Sequence, residues 1–222
     1  MKLQKIGTTA AVAGLLLIGS VAPASATILG VSADAALEGS FGMRMTYNGV
    51  AGAAYVQDNS PAAEDVYFVS FLLDPSATTM TNSNGHQILQ AFVQDDGLGA
   101  VPIAFRVNLF RNAVGATQPW AIHAFPRKND NTFFTPRLAV FVNAFPQQFG
   151  FEFRAGTGPN NGIMRVYRAG VERKSETTID NSNISVGMVR FGAPATPDSS
   201  AGGVLDLDAF VSTRTCQFPV CP

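Results

Sequence analysis

The chain has 222 residues, of which 14% are charged and 46% are hydrophobic, and its formal net charge at pH 7 is −1. An average globular domain has roughly 25% charged residues. Low charge combined with 17 Phe residues excludes an intrinsically disordered chain and a coiled coil. The near-zero net charge also argues against a strongly basic, nucleic-acid-binding surface.

The N-terminus has the pattern of a secretory signal peptide. Lys2 and Lys5 form a positive start, residues 8–18 are apolar, and Ala24-Ser25-Ala26 supplies the small side chains that a signal peptidase accepts. The apolar stretch is shorter than the roughly 20 residues of a transmembrane helix. We therefore predict a signal peptide over residues 1–26, a secreted or periplasmic location, and no transmembrane anchor.

The remaining chain is dominated by segments in which apolar and polar side chains alternate, the pattern of a half-buried strand. These segments are Phe41–Tyr47, Ile103–Leu109, Phe149–Phe153 and Leu205–Val211. In the last segment the alternation predicts one shared face for Leu205, Leu207, Ala209 and Val211. Residues 66–73 are apolar at almost every position, which predicts a strand that is covered on both faces.

Turn signals such as Asn48-Gly49, Asn84-Gly85 and Ala169-Gly170 separate these segments. No 3.6-residue apolar stripe runs for more than two turns. Many short strands in a chain of this size predict an all-β, two-sheet antiparallel sandwich or a barrel. No composition shift divides the chain, so we predict one domain over residues 27–222.

The two cysteines, Cys216 and Cys221, lie close to the C-terminus. In an oxidising compartment such a pair is expected to form a disulfide. The loop closed by this disulfide would be small and would constrain only the C-terminal tail. A redox site is disfavoured, because the spacing differs from that of a Cys-x-x-Cys motif.

Four segments together resemble the laminin-G-like and concanavalin-A-like jelly rolls of bacterial secreted proteins. They are Tyr67–Pro75, Gly162–Gly170, Ile184–Gly192 and Gly203–Arg214. The resemblance implies a jelly-roll sandwich with few or no helices and a curved face. Jelly rolls of this kind host lectins, adhesion modules and glycan-cleaving enzymes. The strand of alternating carboxylates that is usual in the glycan-cleaving members is absent from the sequence, which disfavours an enzyme.

Asp206 and Asp208 are the nearest approach to paired carboxylates. Two residues apart on a strand, they share one face at roughly 7 Å, which is within the separation of an inverting glycosidase pair. Both would point the same way, which does not suit catalysis on opposite faces of a sugar. A jelly roll brings the first strand, near Glu38, beside the last one. A structural Ca²⁺ at Glu38, Asp206 and Asp208 is therefore one hypothesis, and solvated or turn-bonding carboxylates are the other; no other cofactor is expected.

Sugar binding relies on exposed aromatic rings and on hydrogen-bonding side chains. Trp120 follows a polar loop and precedes His123, so it is a candidate stacking residue at a strand entrance, with a partly buried core position as the alternative. Arg137 and Asn143 are weaker candidates for the same curved face. A zinc site at the histidines is disfavoured, because no Cys or His cluster accompanies them.

Three hypotheses for function follow. The first is a secreted, non-catalytic module that binds a polysaccharide or cell-surface glycan. The second is a structural or self-associating envelope protein, suggested by the low charge and the apolar strands. The third is a polysaccharide-cleaving enzyme that uses Asp206, Asp208, Glu152 or His123.

Overall fold

The computed structural model describes residues 27–48, 52–81, 83–93, 101–113 and 115–215. The predicted signal peptide and the predicted disulfide between Cys216 and Cys221 lie outside these residues, and both stay predictions.

Fourteen β-strands make up nearly all of the regular structure in the described residues. In chain order they are β1 (Ile28–Ser32), β2 (Gly42–Asn48), β3 (Ala54–Asp58), β4 (Val66–Asp74), β5 (Thr78–Thr79), β6 (Gly85–Phe92), β7 (Ile103–Arg111), β8 (Trp120–Pro126), β9 (Leu138–Val142), β10 (Gln147–Arg154), β11 (Gly162–Arg168), β12 (Val171–Ile179), β13 (Met188–Ala193) and β14 (Gly202–Thr213). Within these ranges the helical content is one 3-10 turn, Ala33–Ala35. No helix in this part of the chain has the length and apolar character needed to cross a membrane.

The strands form two antiparallel sheets. The eight-stranded sheet has the order β1-β2-β14-β4-β10-β11-β12, with β5 also paired to β14, and the six-stranded sheet has the order β3-β13-β6-β7-β8-β9. All strand pairings in both sheets are antiparallel. The prediction of an all-β, two-sheet antiparallel sandwich is confirmed.

Phenylalanine rings from the two sheets build the core between them. Phe151 and Phe153 of β10 are completely buried, and they stack on Phe71 and on Phe105 with ring centroids 5.7 and 5.6 Å apart. Phe suits this position because it brings a large apolar ring without a polar atom that needs a partner. The predicted alternation is confirmed for Ile103–Leu109, where Arg106 and Asn108 are partly exposed. In Phe149–Phe153 the Phe side chains face the core as predicted, but Gly150 and Glu152 are buried as well, so this strand is not half-buried.

Strand β4 is buried on both faces, as the sequence predicted. Tyr67 and Phe71 point into the core, while Phe68 and Ser70 point away from it and are still only 2% and 9% exposed. The guanidinium of Arg154 lies over the Phe68 ring at 5.8 Å and covers part of this outer face. Phe41 does not follow its prediction, because it precedes β2 and is 64% exposed.

The predicted alternation in β14 is wrong after Asp208. Leu205 and Leu207 are completely buried, but Val211 is 45% exposed. The pairing of β14 with β4 shifts register between Asp208 and Val211, and Ala209 has a φ of +48°. A bulge adds one residue to the strand and moves the following side chains to the other face.

Candidate functional site

The outer face of the six-stranded sheet carries a group of polar side chains. Along β7, Val107 and Leu109 are completely buried in the core, so Arg106 and Asn108 point to the opposite side of the sheet. The same alternation applies to β8, where Ile122 faces the core and His123 faces away from it. This outer face is the candidate functional site.

Strand register aligns side chains from several strands on this face. One row runs through Gln57, Arg190, Gln90, Arg106 and Phe125, each paired with the next across β3, β13, β6, β7 and β8. Side chains that are directly opposite on antiparallel strands lie roughly 5 Å apart. Residues from five separate segments of the chain therefore form one continuous row.

A second row lies next to the first and runs through Gln87, Asn108 and His123. The Gln90 side-chain amide donates a hydrogen bond to the Gln87 side-chain oxygen, which joins the two rows on β6. We call Arg190, Gln90, Arg106, Asn108 and His123 the arginine face. These residues occupy the middle of the six-stranded sheet.

Aromatic rings hold the two arginines of this face in place. The guanidinium carbon of Arg106 lies 4.3 Å from the centre of the Phe133 ring and 5.0 Å from that of Phe125. The guanidinium carbon of Arg190 lies 4.6 Å from the Tyr55 ring centre. A guanidinium that lies against an aromatic ring still donates through the N–H groups in its own plane, and Arg190 Nε donates one such hydrogen bond to Gln57 Oε1 at 2.9 Å.

Some buried polar atoms on this side of the sheet have no hydrogen-bond partner among the described residues. They are Arg106 Nε, Asn108 Oδ1 and Arg127 Nε. Leaving a buried donor or acceptor unsatisfied costs about 1–3 kcal/mol. These three atoms are themselves enclosed, so a bound polar ligand would meet the partly exposed remainder of each side chain.

His123 is neutral at physiological pH. It is only 5% exposed, and its ring lies 4.7 Å from that of Phe110 and 6.3 Å from that of Phe125. Burial, with a further contribution from the Arg137 cation, lowers the pKa of His123 to about 4. The imidazole can therefore accept one hydrogen bond and donate another.

The arginines on this side of the sheet carry no acidic partners. Within the described ranges the ion pairs involve Arg44, Lys128, Arg154, Arg165 and Arg214. None of them involves Arg106, Arg127, Arg137 or Arg190. The face is therefore positively charged, although the net charge of the whole chain is close to zero.

The four residues predicted to bind a ligand do not form one cluster. His123 lies on the arginine face, and exposed Arg137 lies beside it with its guanidinium 5.5 Å from the Phe110 ring. Asn143 is four residues beyond Ala139, the residue paired with His123, and four residues of strand span roughly 13 Å.

Trp120 occupies the core position that was the alternative to an exposed stacking residue. Trp120 is 1% exposed and belongs to the core, because its side chain points to the same, inner face of β8 as that of Ile122. Arg111 covers its ring at 4.8 Å. The Trp120 ring therefore cannot stack on a sugar in this structure.

The carboxylates considered for calcium already have partners within the chain. Asp206 binds Arg44 through both oxygens, at 2.7 and 2.8 Å. Asp208 accepts the backbone N–H groups of Leu37 and Glu38, both at 2.8 Å; burial raises the pKa of Asp208, but these backbone hydrogen bonds outweigh burial and lower it overall. The predicted approach of Glu38 to the last strand is observed. In the part of the chain that the structure describes, no three His, Cys, Asp or Glu side chains are grouped to hold a metal ion.

Glu152 lies on a different surface from His123. It projects from the outer face of the eight-stranded sheet and is 1% exposed. Its carboxylate accepts hydrogen bonds from Tyr167 Oη at 2.7 Å, from Arg165 Nη1 at 3.0 Å and from Arg154 Nε at 2.5 Å. Burial raises the pKa of Glu152, but these hydrogen bonds outweigh it and the pKa lies below its ordinary value. Glu152 therefore has the contacts of a structural ion-pair network.

Comparisons with known proteins establish the fold. No family model matches the chain, and no curated protein matches it in sequence. The structure is similar to that of an endo-β-1,4-glucuronan lyase from the fungus Trichoderma reesei, with a TM-score of 0.58 and 13% identity over 85% of this chain and 87% of that one. It is also similar to the cellulose-induced protein Cip1, with a TM-score of 0.54 and 13% identity over 85% and 86% of the two chains. The chain has a jelly-roll-like β-sandwich fold.

Sequence reasoning missed most of the arginine face. Arg106 and Asn108 were visible as the polar positions in the alternation of β7, and this was the signal available. The sequence around Gln90 and Arg190 contains no comparable signal. These two residues become neighbours of Arg106 only through the pairing of β13 with β6 and of β6 with β7.

Proposed function

We propose that the protein is a secreted, non-catalytic module of the laminin-G-like or concanavalin-A-like kind that binds an acidic polysaccharide on the arginine face. The ligand class is a glycan that carries carboxylate groups, that is, uronic acid residues. Secretion rests on the predicted signal peptide, and binding rests on the chemistry of the outer face of the six-stranded sheet.

The observation that supports this proposal most strongly is the environment of Arg106. Its guanidinium is half-buried, lies on two aromatic rings and has no carboxylate partner among the described residues. Burial lowers the pKa of Arg106 from its ordinary value, but an arginine remains charged at neutral pH. An arginine fork matches the two oxygens of a carboxylate.

The neighbouring groups suit the rest of a sugar. Neutral His123, Asn108 and Gln90 can exchange hydrogen bonds with hydroxyl groups, and Phe133 and Tyr55 provide apolar ring surface. The names of the two structural neighbours, a glucuronan lyase and a cellulose-induced protein, also connect this fold with polysaccharides.

A lyase is the second candidate, favoured by the neutral state of His123. In such a reaction the imidazole takes the proton from the carbon beside the uronate carboxyl, the electron pair forms a C=C bond, and the glycosidic oxygen leaves and takes a proton from water. Arg106 would stabilise the negative charge that develops on the carboxyl group. The product is an unsaturated sugar with ultraviolet absorbance.

Binding can be tested by calorimetry with polyglucuronate, alginate and cellulose. Asn108→Asp nearly preserves shape and adds a negative charge beside Arg106. Asn160→Asp is the matched control, because Asn160 is exposed in the loop that follows β10 in the other sheet. We expect the uronate polymers to bind and cellulose not to bind. Asn108→Asp should weaken uronate binding at least tenfold, about 1.4 kcal/mol, while Asn160→Asp should leave it unchanged.

Two results would contradict the proposal. Equal affinity for cellulose and the uronate polymers would show that carboxylates are not recognised. Equal affinity of the wild type and Asn108→Asp would show that binding occurs elsewhere. Growth of ultraviolet absorbance during the incubation, lost in His123→Gln, would favour the lyase.

A further inference from the structure

We propose a second anion-binding subsite in the cleft between β9 and β12, where Arg173 and Lys174 receive a further carboxylate of the same polysaccharide chain. This inference rests on the proposed function and specifies the ligand as a polyuronate long enough to reach both places.

The cleft is lined by cationic and apolar groups. It has a volume of about 260 Å³ and is lined by Gln118, Ala139, Val140, Phe141, Arg168, Arg173 and Lys174. Three of these seven side chains are cations, and none is a carboxylate. A cleft of this composition favours an anionic ligand with some apolar surface.

A tight hairpin brings the cations to this position. Ala169 and Gly170 connect β11 to β12 and have φ values of +52° and +75°, which is the pattern of a type I′ turn. Arg168, the last residue of β11, donates from Nη1 to the carbonyl oxygen of Phe141 on β9 at 2.7 Å. This hydrogen bond holds the hairpin against the edge of the six-stranded sheet.

The acidic residues of β12 are engaged elsewhere. Glu172 pairs with Arg165 at 3.4 Å, and Glu176 accepts hydrogen bonds from the N–H groups of Thr177 and Thr178. Within the described ranges, no ion pair involves Arg173 or Lys174, and both are exposed. Their charges are therefore available to a ligand.

The cleft is continuous with the arginine face through β9. Phe141 is 56% exposed and points to the same, outer face of β9 as Ala139. Ala139 is paired with His123 on the adjacent strand. From Arg106 on β7, the cleft at Phe141 lies two strand spacings across the sheet, roughly 10 Å, and about four residues along β9, roughly 13 Å. A disaccharide is too short for this path, whereas a polymer can contact both Arg106 and Lys174.

The experiment compares two ligands, a diglucuronate and polyglucuronate, in calorimetry with intact protein. The variants are the double Arg173→Gln/Lys174→Gln, Asn108→Asp, and Arg214→Gln as a control that removes one positive charge far from the cleft. Arg214 is paired with Glu64 at the opposite, β3 side of the sandwich. All three variants change partly or fully exposed residues, and circular dichroism melts check that each variant folds.

We expect the double variant to bind polyglucuronate about tenfold more weakly and the diglucuronate as tightly as the wild type does. Asn108→Asp should weaken the binding of both ligands, and Arg214→Gln should weaken neither beyond twofold. Wild-type polymer affinity in the double variant would overturn the subsite and leave the proposed function intact. If the double variant alone loses the polymer while Asn108→Asp keeps it, the cleft binds the anion and the arginine face does not. If the wild type binds neither ligand, both proposals fail.

Discussion

His86 makes the stability of the protein dependent on pH. Its imidazole is 3% exposed between the two sheets. Its Nε2 lies 2.5 Å from Tyr47 Oη, and its Nδ1 has no hydrogen-bond partner among the described residues. Burial lowers the pKa of His86 from 6.5 to about 4, with a small opposing effect from Asp198.

The direction of this pH dependence of stability follows from proton binding. Between pH 6.5 and 4 the unfolded chain takes up a proton at His86 that the folded protein does not, so stability falls as the pH falls. One unit of pKa corresponds to about 1.36 kcal/mol. The shift of His86 therefore amounts to about 3 kcal/mol, a large part of the 5–15 kcal/mol stability of an ordinary domain. Below about pH 4 this contribution levels off.

The assay is urea unfolding at a series of pH values between about 4.5 and 7, followed for the wild type, His86→Gln and His123→Gln. His123 also has a pKa near 4, so each single variant should lose about half of the pH dependence. The glutamine at position 86 can still hydrogen-bond to Tyr47. If His86→Gln has the same slope of unfolding free energy against pH as the wild type, the reasoning is refuted.

Substitutions at three further positions test other parts of the structure. Glu152→Ala should destabilise the protein by about 1.5–3 kcal/mol, because it removes a buried carboxylate that accepts hydrogen bonds from Arg154, Arg165 and Tyr167, and Glu152→Gln should cost less; urea denaturation measures both, and equal small losses would contradict the network. Trp120→Ala should cost about 3–5 kcal/mol and leave the uronate affinity of the folded variant unchanged, whereas a lower affinity in calorimetry would argue for a binding role. Val31 is 78% exposed on β1, which pairs with β2 and is the terminal strand of the eight-stranded sheet among the described residues, and exposed apolar residues on an edge strand promote edge-to-edge association. Light scattering should therefore show concentration-dependent association that Val31→Lys removes, and a wild type that is monomeric at all concentrations would contradict self-association.

Much of the fold could be predicted because the burial of each strand in a sandwich determines the order of apolar and polar residues along that strand. The alternation in Phe149–Phe153 and Ile103–Leu109 follows directly from one face being in the core, and the apolar run at residues 66–73 follows from burial on both faces. Both patterns are properties of consecutive residues, so the sequence of a single segment is enough to predict them.

The candidate site depended on contacts between segments that are distant in the chain. The polar neighbours of Trp120 in the sequence suggested a stacking residue. The packing of Ile122 and Ala124 in the core decides instead that the Trp120 side chain points to the inner face of β8. The bulge at Ala209 reversed the face of Val211, because pairing with β4 and not local alternation fixes the register there.

The sequence by itself determined the all-β class, because a period of two in apolar residues favours strands wherever it occurs. It also limited the chemistry, since low charge and an aromatic content dominated by Phe leave few charged, His, Trp and Tyr side chains. Only the tertiary structure decided which of those side chains meet. Gln57, Arg190, Gln90 and Arg106 come together because hydrogen-bonded strand pairing, which joins residues far apart in the chain, places them in one row on the same face.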